Sequence, residues 1–163
     1  MTDRWLYPWA LGSVAFGGAS LLVPLYIVQL GASPVQLGLL ASTAALVGAP
    51  GSILFGRLAD RVDNRRPLVG LTLLTVAGSL AAIPLLSDIT TIIAANAALW
   101  LVVASVVPVV TMIVVDATPE SAWTRRIGRL NAFQGYGWAG GLVLAGAVLV
   151  LSIRSLSDGT EQE

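Results

Sequence analysis

With 163 residues, of which 56% are hydrophobic and only 11% charged, and a mean hydropathy of +0.83, the chain lacks the charge to cover a soluble domain. Lipid is therefore its expected solvent. Nine arginines offset nine Asp and Glu residues, which excludes the basic excess that would point to a nucleic-acid partner. Lysine, histidine and cysteine are all absent, excluding disulfides, Cys/His metal sites, thiol nucleophiles and an imidazole proton relay. No cofactor or metal is expected. Neither is an enzyme, since no Ser/Lys set and no paired membrane carboxylates replace the missing groups.

In chain order, Arg4 is followed by 52 uncharged residues before Arg57, room for two helices of about 20 residues and a turn. The run lacks a small-residue cleavage site and outlasts the apolar region of a signal peptide, so it reads as a retained first span. Gly31-Ala32-Ser33-Pro34 divides it: a helix stop, an N-cap serine and a proline in the first turn of the next helix. A third uncharged stretch begins at Pro67. A fourth begins at Ile89 after Ser87-Asp88, either of which suits an N-cap, with Pro84 and Pro108 as kinks or ends. The fifth runs from Leu130 to Ile153. The expected organisation is an all-α, polytopic transmembrane bundle over 1–153, with spans at about 9–30, 35–57, 67–86, 89–115 and 130–153. A polar tail over 154–163 is expected to be disordered.

Positive charge stays cytoplasmic during insertion. Arg4, the group Arg57, Arg61, Arg65 and Arg66, and the group Arg125, Arg126 and Arg129 all fall on one side of these spans, leaving only Arg154 on the other. The N-terminus is thus expected in the cytoplasm and the protein in the plasma (cell) membrane. Trp5, Tyr7 and Trp9 read as interfacial anchors, and Trp123 as a member of the same belt. Small residues four apart allow close helix approach in lipid. Ala44, Gly48, Ser52 and Gly56 form such a row in the second span, and Gly137, Gly141 and Ala145 another in the fifth.

Between the second and third spans the sequence reads Gly56-Arg57-Leu58-Ala59-Asp60-Arg61-Val62-Asp63-Asn64-Arg65-Arg66. This resembles the loop signature of the major facilitator superfamily: Gly, three residues, Asp, a basic residue, one residue, Gly, one residue and a basic pair. Gly56, Asp60, Arg61, Arg65 and Arg66 match, and Asp63 stands where the second glycine is usual. Aspartate tolerates left-handed backbone better than most side chains do. The resemblance implies a cytoplasmic latch, in which Asp60 and Arg61 hold two transporter halves together while the site opens outward and then let go. A carboxylate near a helix end, flanked by guanidinium groups, suits docking at the positive end of a neighbouring helix.

A weaker echo lies at Asp116-Ala117-Thr118-Pro119-Glu120 with Arg125-Arg126. The antiporter signature of the fifth span is half present: Gly140-Gly141 fit, and Tyr136-Gly137 occupy the Gly-Pro positions. No charge falls inside a span, so no intramembrane proton-coupling group is expected. Polar candidates for a cavity are Asn96 and Gln134, with Gln29 and Asn131, and Tyr26 and Trp138 beside them, with Trp100 and Tyr136. The resemblance implies alternating-access transport of a small solute by a protein of two six-span halves, of which five spans are under half. The expected partners are the lipid bilayer, a small-molecule substrate and a second transporter half or partner membrane chain. The alternative is a non-transporting membrane subunit or regulator assembling through the small-residue faces.

Overall fold

A computed structural model describes residues 4, 6–62 and 66–160, with the side chains of Arg66, Leu68 and 153–160 outside the description. All regular structure among these residues is helical: α1 Leu6–Gln29, α2 Pro34–Asp60, α3 Arg66–Ala82, α4 Ile89–Asp116 and α5 Trp123–Thr160. Short 3-10 turns at Ile83–Leu85 and Glu120–Ala122 close α3 and lead into α5. Lipid leaves the backbone no outside partner, which is why elements this apolar close their hydrogen bonds internally. Among the described residues α1, α2, α4 and the stretch Glu120–Ser152, which joins the second 3-10 turn to α5, are long and apolar enough to cross a membrane. The apolar part of the third element, Val69–Leu85, is shorter.

The punctuation between helices is local chemistry. α1 ends in a Schellman arrangement: Gly31 at φ +84° donates to Val28 O and Ala32 to Ile27 O, both at 2.9 Å. Ser33 caps α2 through a reciprocal box, its hydroxyl accepting from Gln36 N while the Gln36 side chain accepts from Ser33 N at 2.8 Å. Asp88, rather than Ser87, caps α4. Pro84 lies in the turn that closes α3 and Pro108 inside α4; Pro24 and Pro50 also lie within helices, α1 and α2. α5 continues past Ile153 to Thr160, correcting the expectation of a disordered tail from 154. Residues 154–158 contain no helix breaker, so the helix of the apolar run continues into them.

The chain divides into two compact units, Val23–Leu130 and Met1–Leu22 with Asn131–Glu163. In the first, α4 packs on α2 and α3. Its buried face includes Ile92, Asn96, Leu99, Val103, Val106, Val110 and Val114, at spacings of three or four. In the second unit α1 and α5 run in the same direction, Tyr7 meeting Phe133 edge-on at 5.7 Å and Gly18 lying against Gly141 farther along both helices. The outward surface is apolar, including Val35, Leu46, Ile53, Val143 and Leu151. Such a surface suits hydrocarbon and would aggregate in water.

Candidate functional site

The loop motif begins on α2. Gly56 lies in its last two turns, where a Cβ would meet nothing within 4 Å, so no packing contact requires a glycine there. Asp60 is the last helical residue and Arg61 the C-cap, its backbone N–H donating to Leu58 O at 3.1 Å. Both side chains are exposed. Asp63 and Arg65 lie outside the described residues, as does the side chain of Arg66, whose backbone opens α3. Asp60 stands at the negative end of the α2 dipole, where Arg57 and Arg61 are well placed and a carboxylate is not. It therefore gains by pairing with positive charge.

The small-residue rows are partly used. On α5, Gly137 faces the Ala10 carbonyl and the Ser13 side chain, and Gly141 faces the Val14 carbonyl and the Gly18 N–H. Ala145 is buried beyond them. α1 answers with Gly17, whose missing Cβ would strike the Trp138 carbonyl. On α2 the row narrows to Gly48, whose Cβ would lie 3.6 Å from Ala104 Cβ. The closest approach belongs instead to Gly51, where a Cβ would lie 2.7 Å from both the carbonyl and the Cδ1 of Leu101. A row of strict spacings of four leaves out Gly51, because helical contact faces alternate three and four. The adjacent pairs Pro50-Gly51 and Gly17-Gly18 are the signal that the sequence does carry. In each close approach a glycine Hα points at a carbonyl of the other helix, a contact that recurs at helix interfaces.

The cavity candidates lie in different surroundings. Asn96 is 3% exposed in the buried face of α4, about two turns in from the Asp88 cap. Gln134 and Trp138 are half-buried on α5, one turn apart, and Trp100 is half-buried on α4. Gln29, Asn131 and Tyr136 are exposed. The Tyr26 hydroxyl donates to backbone carbonyls, Leu86 O at 2.8 Å and Pro84 O at 3.2 Å.

The aromatic belt needs one correction. Tyr7 is 68% exposed, but Trp9 is only 7% exposed and its indole N–H is buried with no partner among the described residues. Residues two apart on a helix point about 200° apart, so Tyr7 and Trp9 cannot share one face. Trp9 instead joins the buried stripe Leu6, Ser13, Phe16 and Val23. Trp5 lies outside the described residues. Trp123 is half-buried, its N–H donating to Thr118 O at 2.9 Å.

This arrangement, long apolar helices with a charged turn leaving α2, is accompanied by a match to the Major Facilitator Superfamily over residues 9–156. The chain belongs to that superfamily. The match runs from the first turn of α1 well into α5 and takes in the Gly56–Asp60–Arg61 segment. The chain finds no match among curated proteins or solved structures. As a facilitator chain it is an integral membrane protein of a transport superfamily, all-α among the described residues, with four to five membrane helices.

Proposed function

We propose that this facilitator chain takes part in secondary transport of a small solute by alternating access, and that the turn leaving α2 is its cytoplasmic latch. The observation that carries the latch is Asp60 held exposed at the C-terminal end of α2 with Arg61 as its neighbour. A carboxylate unsuited to its own helix end is suited to the positive end of another helix. A contact made in one state and broken in the other biases the equilibrium between them. Arg65 and Arg66 complete the motif in sequence. The latch needs a docking surface, which we assign to a second helical bundle of the same transporter.

Five spans are part of this proposal. α3 and its closing 3-10 turn together rise about 31 Å, against a hydrocarbon core of about 30 Å. The arginine distribution favours a cytoplasmic N-terminus in a cell membrane. Asn96 on α4 is proposed to border the solute path, since a buried amide offers both donor and acceptor to a neutral solute. Tyr26 borders it through its ring, its hydroxyl being already engaged.

Asp60→Asn tests the latch. In cells expressing a transporter assembled with this chain, uptake across a panel of small solutes is expected to fall roughly tenfold, the scale of a typical coupling between states. Membrane insertion and yield should stay unchanged. Uptake equal to that of the parent would remove the latch from the mechanism.

A further inference from the structure

Tyr26 lies in the last turn of α1, beyond Pro24, and its phenol reaches the stretch between α3 and α4 some 60 residues later in the chain. That stretch breaks the helical backbone where α3 gives way to α4. α3 stops at Ala82, a single 3-10 turn covers Ile83–Leu85, and Leu86 is extended at ψ 134° before Asp88 caps α4. Carbonyls at such a break lack the helical partner they would otherwise have and need a side chain or water in its place. The Leu86 N–H closes onto Ile83 O at 3.1 Å, which secures the turn on the donor side. On the acceptor side, the Tyr26 hydroxyl stands 2.8 Å from Leu86 O and 3.2 Å from Pro84 O.

A hydroxyl has one proton, so it serves one of these carbonyls fully at a time. Two acceptors side by side let the phenol slip from one to the other without losing its bond. Ile83 is buried beneath the turn and Leu85 is exposed beside it, so the Ile83 side chain and this hydroxyl both tether the turn.

We propose that Tyr26 is a clasp that makes the end of α1 and the α3–α4 turn move as one body. Its part in a transport cycle rests on the alternating-access reading; its existence does not. The clasp keeps this turn closed while the chain changes state. It distinguishes this turn from the α1–α2 turn, which the Ser33–Gln36 box closes by itself.

The absence of native cysteine makes the test direct. Ile83→Cys places a thiol beneath the clasped turn, and Ser33→Cys places one in the self-closed turn. Adding Tyr26→Phe is expected to raise the maleimide labelling rate at position 83, which is buried and so reacts only when the turn opens, roughly fivefold, the population change set by losing one ordinary neutral hydrogen bond. The rate at position 33 should not change. Equal rates at 83 with Tyr26 and with Phe would overturn the clasp while leaving the transport reading intact, because that reading is tested by uptake. A second measurement needs no substitution at 26. With tyrosine labelled at Cζ, the Tyr26 hydroxyl should exchange with deuterium at least tenfold more slowly than that of exposed Tyr7, and equal exchange would likewise overturn the proposal.

Discussion

Asp88 shows how a single side chain sets a helix boundary. One of its carboxylate oxygens accepts from both the hydroxyl and the backbone N–H of Thr91, each at 2.7 Å. The hydrogen bond from the Thr91 hydroxyl, and then that from its backbone, hold the carboxyl below the usual carboxylate range. A group with a lowered folded-state pKa stabilises fully above its unfolded value, and that contribution is lost as pH falls through the lower, folded value. Asp88→Ala is therefore expected to lower the melting temperature in detergent at neutral pH, and Asp88→Asn to lower it less, because asparagine is also a good cap. The wild-type advantage over Asn should shrink as pH falls below the usual carboxylate range. An advantage that stays constant there would mean the charge plays no part. Ser87 and Asp88 are equal candidates in sequence, since an N-cap is chosen by backbone geometry and both residue types suit it.

Among elements, the glycines separate into two kinds. Gly141 on the Val14 carbonyl and Gly51 on the Leu101 carbonyl leave no room for a methyl group. The obstacle in each case includes backbone, which cannot turn aside as a side-chain end can. Gly141→Ala and Gly51→Ala are each expected to destabilise their helix pair by about 1–3 kcal/mol. At Gly70 and Gly128 a Cβ would meet nothing within 4 Å, and Gly→Ala there should be neutral or stabilising by about 0.5–1 kcal/mol. Unfolding of the four variants in a denaturing detergent series checks the contrast, and equal effects at all four sites would refute close packing as the reason for these glycines. Helix composition announced that small residues would be used. Which of them met a carbonyl depended on the partner helix.

For the molecule as a whole, the number of crossings decides which side each turn faces. If α3 spans, Ser33 and Ser87 lie on one side of the membrane and Ala117 on the other. Single cysteines at 33 and 87 should react with an impermeant maleimide added outside intact cells, and a cysteine at 117 only after permeabilisation. Were α3 not to span, position 87 would react only after permeabilisation and position 117 without it. The arginine distribution predicts the first pattern, because eight of the nine arginines then lie on the cytoplasmic side.

The sequence by itself determined the solvent, the helical class, the helix boundaries near Ser33 and Asp88, and the family resemblance at Gly56, Asp60 and Arg61. These depend on composition, on backbone hydrogen bonding in lipid and on local capping, all of which act over a few residues. Tertiary structure alone decided that Trp9 turns inward while Tyr7 faces out, that Gly51 rather than its neighbours Ser52 and Gly56 meets α4, and that the Tyr26 hydroxyl serves carbonyls of a distant turn. In a soluble protein, hydrophobic periodicity marks the inward face of a helix. In a membrane both faces are apolar, so the face a helix buries is chosen by the shape of its neighbour, and that shape is absent from any one stretch of sequence.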